Sequence, residues 1–238
     1  MTDPQLQRYA RQIALPGFGV ESQERLSHAR VLLIGAGGLG SPAAFYLAAA
    51  GVGHITIADG DTLDLSNLQR QILHTTADIG NPKAYSAASH LRALNPEIEI
   101  TPLPRRINRL EMRALVSHFD FIIEATDSLD TKFITDQACF EARKPYSHGA
   151  IRGYEGHTMT VLPGTARLLD LFPDGPESVE TVPPTGPLGV VAGIIGTIQA
   201  AEALKYITGI GTLLTNRLLR VDMLTLDFTT VNLPSPVP

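Results

Sequence analysis

The 238-residue chain has no tryptophan, one cysteine and few aromatics, 6% in all. A single cysteine, Cys139, excludes an internal disulfide and any thiolate-cluster zinc site. No apolar stretch of bilayer-spanning length is free of charges or breakers, so a membrane is not an expected partner. The opening MTDPQLQRYARQI has no apolar signal core, and the expected location is cytoplasmic. Basic residues are not in excess: 19 Lys and Arg stand against 24 Asp and Glu, a net charge of −5. A broad nucleic-acid surface is therefore not expected. The seven histidines, His28, His54, His74, His90, His118, His148 and His157, show no metal-ligand spacing and read as structural or surface residues.

What remains is ordinary for a soluble chain: 44% hydrophobic and 18% charged, enough for one large domain with a sizeable core. Residues 3–12 and 21–29 read as two short polar helices within an N-terminal segment 1–30. From 31 to 150 strands and helices alternate. Strands are expected near 31–34, 54–58, 98–102, 120–124 and 145–150, and helices near 42–50, 82–94, 109–118 and 130–142. That order predicts a Rossmann-like α/β fold, a parallel sheet with helices on both faces. From about 151 to 238 the pattern predicts an antiparallel extension. It starts on GYEGHTMTVL and ends on strands near 217–222 and 225–231. Between them lie a Pro/Gly-rich crossing loop, about 163–187, and a long buried helix ending at Gly209.

The chemistry begins at VLLIGAGGLGSPAAFYLAAAGVGHITIAD, residues 31–59. Gly35, Gly37 and Gly40 form G-x-G-x-x-G directly after an apolar strand. Such glycines allow a tight turn, close approach of backbone to phosphate, and close packing of helix on strand. Ser41 is suited to cap the helix and Pro42 to begin it. The helix N-terminus offers N–H groups and a partial positive charge to an anion. Asp59, ending the next strand, is placed to take ribose hydroxyls. These features predict a nucleotide but leave open which one.

GDTLDLSNLQRQILHTTADIGNPK follows, dense in donors: Ser66, Asn67, Arg70, Gln71 and Lys83. Arginine presents a planar fork to phosphate oxygens and lysine a mobile charge. Near a helix N-terminus they suggest a triphosphate; a solvated loop with surface ion pairs is the plain alternative. In FIIEATDSLDTK, Asp127 sits beyond a strand's carboxyl end, where a carboxylate beside phosphates suits Mg²⁺. It could instead cap the helix at 130–142, although Asp130 serves that role equally well.

RYARQIALPGFG, VLLIGAGGLGSP, LDLSNLQRQILH, GNPKA, EATDS and GIIGTIQAAEALK together resemble the ThiF/MoeB/HesA family, relatives of ubiquitin-activating enzymes. The resemblance covers almost the whole chain and implies one adenylyltransferase domain over 1–238. It implies an enzyme that uses ATP and Mg²⁺ to activate the C-terminal carboxylate of a small ubiquitin-like sulfur-carrier protein ending in Gly-Gly. By the same resemblance, Gly38 and its neighbours Gly35, Gly37 and Gly40 approach the phosphates. Asp59 holds the ribose, with Asp61 and Ser66 in the nucleotide set. Asn67, Arg70 and Lys83 grip the phosphates, and Asp127 holds the metal. Arg11 matches an arginine sent into the partner subunit's site, which implies a homodimer. Many relatives carry two C-x-x-C pairs for zinc. This chain has none, near TARLLDLF or elsewhere, so zinc is not expected. Relatives often carry a crossing-loop cysteine as well; here Val182 falls about where it would be. Cys139 reads as a packed structural thiol. The expected product is an acyl-adenylate released or handed on, with sulfur transfer left to another protein. Two readings stand beside this one: a superfamily member acting on a peptide or a modified tRNA base, and an NAD- or FAD-linked oxidoreductase.

Overall fold

A computed structural model describes residues 1–178 and 186–233. Val182, part of the crossing loop and the final prolines lie outside the described residues. Eight strands form one sheet in the order β3-β2-β1-β4-β5-β6-β7-β8. These are β1 (Arg30–Ile34), β2 (His54–Ala58), β3 (Glu99–Leu103), β4 (Phe121–Glu124), β5 (Tyr146–Arg152), β6 (Glu155–Val161), β7 (Arg217–Asp222) and β8 (Asp227–Asn232). β3 through β5 run parallel, and β5 to β8 pair antiparallel in sequence. The expected parallel core with an antiparallel extension is the observed architecture.

Continuous apolar strands arise because helices cover both faces. Val31 and Leu33 point to a core shared with Leu47, Leu91 and Ile195. Leu32 and Ile34 point to the other, with Met112, Ile122 and Phe133. The first face packs against α3 (Gly40–Ala50), α4 (Lys83–Leu94) and α8 (Gly189–Thr208), with α2 (Gly19–His28) beside α8. The second carries α5 (Arg109–Val116), α6 (Leu129–Ala142) and the short α7 (Leu168–Leu171). α1 (Asp3–Ile13) packs on α2.

α8 alone among the described helices is long and apolar enough to cross a membrane. Its surroundings are those of a core helix. Val191, Ala192, Ile195 and Ala203 are fully buried, and its buried Glu202 accepts hydrogen bonds from Thr160 Oγ1 and the Leu214 amide. Gly196 lets it sit on the turn before α3: a Cβ there would lie 2.1 Å from the Leu39 carbonyl oxygen.

Three local expectations are corrected. Ser41 does not cap α3; the glycine turn winds so tightly that the helix starts at Gly40, and the Ser41 hydroxyl donates back to the Gly37 carbonyl at 2.7 Å. Ser128, not Asp130, caps α6, its hydroxyl accepting from the Thr131 amide. The crossing segment is not irregular throughout, since it contains α7 and a 3₁₀ turn at Gly175–Ser178.

Candidate active site

The chain leaves β1 for β2 and β3 on one side, then crosses back to β4 on the other. Such a switch point opens a crevice beyond the strand ends. A cleft of about 660 Å³ lies there. Its floor is built by register. Ile34 stands beside Ala58 and Glu124, so the turns after β1, β2 and β4 emerge together. The Gly35 amide donates to the Ala58 carbonyl, and the Ala125 amide to that of Ile34.

The glycine turn is compressed between these neighbours. Gly35 has φ +97°, a left-handed value, and its Cβ would sit 2.8 Å from the Ala125 oxygen. A Cβ at Gly40 would come within 1.9 Å of the Gly35 oxygen. Gly40 therefore serves packing, and Gly35, Gly37 and Gly38 line the cleft. The Asp59 carboxylate braces this turn: one oxygen accepts from the Ala36 amide at 2.7 Å, the other from the Asp61 amide at 2.8 Å. Each carboxylate oxygen has a second lone pair for a ribose hydroxyl.

Lys83, at the first turn of α4, is buried. Its ammonium pairs with Asp61 at 3.3 Å, and Arg106 reaches the other Asp61 oxygen at 3.1 Å. Burial pushes the Asp61 carboxyl up, but Arg106 and Lys83 outweigh it and hold the group below its usual range. Arg70 donates to the Ser66 carbonyl and lines the cleft, as do Lys83, Asp61 and Asp127. The cleft thus gathers Asp59, Asp61, Arg70, Lys83, Asp127 and the three glycines. Ser66 and Asn67 are not in its lining; the Asn67 side chain closes a capping box with Asp64. Arg11 is exposed and does not line the cleft of its own chain.

Sequence reasoning missed two groups. Arg105 and Arg106 follow β3 and line the cleft from the far side; LPRRIN was their only local signal. The second is a buried cluster beneath Asp127. Lys132 donates to Glu124 at 2.8 Å and to the Gly149 carbonyl at 2.6 Å. Glu124 in turn accepts from the Thr126 amide and hydroxyl, which shapes the turn that presents Asp127. Burial works to raise the Glu124 carboxyl, but Lys132 and His148 bring it down to about 2. Burial drives His157 down to about 3, with His148 and Lys132 adding to the shift, so the imidazole beside His148 is neutral.

Cys139 is buried, and burial raises its thiol far above the ordinary range, with Asp136 and Glu124 adding to it. Such a thiol is no nucleophile. Among the described residues no three of His, Cys, Asp and Glu cluster to hold a metal. A hard cation at Asp127 would draw its other oxygens from phosphate and water, as Mg²⁺ commonly does. The arrangement offers anion neutralisation and alignment.

The model of the ThiF family matches residues 9–238. The chain is 41% identical over 229 residues to the SAMP-activating enzyme E1 of Haloferax volcanii, covering 95% of this chain and 85% of that one. It is 40% identical over 216 residues to the sulfur carrier protein ThiS adenylyltransferase of Escherichia coli K12, covering 89% and 85%. It spans about half the length of other relatives, such as the Zea mays adenylyltransferase and sulfurtransferase MOCS3-1 (39% identity over 234 residues, 97% of this chain, 50% of that). In fold it resembles E. coli MccB with ATP, at a TM-score of 0.84 and 22% identity over 97% of this chain and 73% of that one. The chain belongs to the ThiF family and is an adenylyltransferase of that type.

Proposed function

We propose that this chain uses ATP and Mg²⁺ to adenylate the C-terminal glycine carboxylate of a small ubiquitin-like sulfur-carrier protein ending in Gly-Gly. The carrier carboxylate oxygen attacks the α-phosphorus. A bond from that carboxylate oxygen to Pα forms, giving the acyl phosphate anhydride, the Pα–O bond to the β-phosphate breaks, and pyrophosphate leaves. No protein nucleophile is needed, so catalysis is alignment plus neutralisation of charge. The observation that carries the reading is the company in the cleft: the glycine turn, buried Lys83, Arg70 and Asp127 at one switch point, with no Ser or Cys paired to a base among the described residues that line it. Lys83 is held in place by Asp61, where its ammonium can pair with phosphate oxygens when nucleotide enters. Asp127 holds Mg²⁺, which supplies charge neutralisation at the phosphates. Arg11 acts in the site of a second copy of the chain, in a homodimer.

The finer features follow the same line. The reaction runs without zinc and without a crossing-loop cysteine, and the adenylate passes to a separate sulfur-transfer protein. The setting is the cytoplasm. The test is ATP–pyrophosphate exchange dependent on a Gly-Gly-ending carrier, with mass detection of its AMP adduct. Asp127→Ala lowers exchange by about a hundredfold or more with the fold intact. Full exchange in that variant overturns the metal assignment, and NAD binding in place of ATP overturns the reading.

A further inference from the structure

α3 begins at the nucleotide turn and runs about 16 Å to its C-cap, Gly51. There side chains bond its last carbonyls. Asn95, fully buried, donates to the Ala48 carbonyl at 2.8 Å and to the Tyr9 hydroxyl at 2.8 Å. Gln12 and the fully buried Gln23 both donate to the Ala50 carbonyl, at 2.8 and 2.9 Å. Gly51 has φ +83° and leaves the space that the Tyr9 ring fills; a Cβ would lie 2.5 Å from its Cζ.

Tyr9 and Gln12 are therefore the inward face of α1. Tyr9 is the only buried residue of that helix. Arg11 lies two residues past Tyr9, about 200° round the helix, on the outward face. It is exposed and makes no hydrogen bond or ion pair among the described residues. An isolated helix of 11 residues, about three turns, would not hold such an orientation by itself.

We infer that the Tyr9–Asn95–Gly51 socket fixes the rotation of α1 so that Arg11 is presented to the partner subunit's cleft. Tyr9 and Asn95 are positioning residues, and their effect falls on the neighbouring site, not on their own. The inference rests on the shared-site reading of Arg11. It makes α3 a strut with the nucleotide turn at one end and the donated arginine at the other.

The test is complementation in hybrid dimers, co-expressed with two different tags and purified through both. Tyr9→Ala homodimers lose about tenfold in carrier-dependent ATP–pyrophosphate exchange, as misplaced catalytic groups do. A Tyr9→Ala/Asp127→Ala hybrid has one site with both elements intact, so it recovers about half the wild-type rate. A residue that only stabilises its own subunit gives no such recovery. Arg11→Ala/Asp127→Ala is the control. If the control recovers and the Tyr9 hybrid does not, the socket acts within its own subunit and the inference is overturned. If neither recovers, the shared site itself falls, and the inference with it. Full activity in Tyr9→Ala homodimers overturns it too. Asn95→Ala is run in parallel, and carries the same outcomes should Tyr9→Ala fail to fold.

Discussion

At the scale of single residues, the cleft separates groups that build from groups that act. Gly40 builds: the 1.9 Å approach of its virtual Cβ to the Gly35 oxygen is to backbone, which cannot swing aside. Gly40→Ala is expected to cost about 3 kcal/mol or more, seen as a large drop in the denaturation midpoint. Lys83 acts, and it is nearly enclosed, with Asp61 its one ion-pair partner among the described residues. Lys83→Ala is expected to lower pyrophosphate exchange by about a hundredfold while unfolding shifts little, because Asp61 is half-exposed and can be solvated by water. A variant that lost stability and activity in proportion would place Lys83 among the builders instead.

At the scale of elements, the parallel core was legible because its central strands are short apolar runs bracketed by glycine, proline or polar turns. Val31 to Ile34 and Phe121 to Ile123 are examples. The glycine turn, Asp59 and Asp127 were legible for a related reason: their roles follow from position in a strand–turn–helix unit. Arg106, Glu124 and Lys132 were not, because their partners lie at other strand ends and only tertiary register brings them together. α7 was also missed, since its four residues sit in Pro/Gly-rich sequence and are held by tertiary contacts. Buried Asp136 accepts from the Leu168 amide and the Tyr146 hydroxyl and pairs with Arg167 at 3.3 Å. Arg167 in turn lies 4.1 Å over the Phe140 ring. This clamp holds the root of the crossing segment on α6. Asp136→Ala is expected to cost about 2–3 kcal/mol by taking the carboxylate from Arg167, which keeps its bond to Gln137, and by leaving the Tyr146 hydroxyl unpaired. Urea denaturation checks the cost. Trypsin is expected to cut the variant first at Arg167, and early cleavage elsewhere would mean that the clamp is not local.

At the scale of the whole molecule, the buried cluster under Asp127 ties stability to pH. Three groups fall in two windows. His157 is a base depressed to about 3, so the folded protein resists a proton that the unfolded imidazole takes near 6.5. Its contribution is complete above pH 6.5 and is lost progressively as pH falls below that value. His148 is depressed in the same direction, chiefly by burial, and adds to the same window. Glu124 is an acid depressed to about 2 from 4.5; its contribution is complete above pH 4.5 and is lost as pH falls towards 2. Loss of stability is therefore expected to begin near pH 6, earlier than carboxylates alone would bring it on, while the chain stays folded. By pH 5 the loss due to His157 is about 1–2 kcal/mol. His157→Gln keeps a hydrogen-bonding group beside His148 but cannot take a proton. It is expected to flatten the stability curve between pH 6.5 and 4.5 and to leave the steeper fall below 4.5 in place. Denaturant unfolding of both proteins at half-unit pH steps separates the two windows, and parallel curves for wild type and variant from 6.5 to 4.5 would remove His157 as the source of the early loss. Because Thr126 and the turn bearing Asp127 hang from Glu124, exchange activity is expected to follow the second window and not the first.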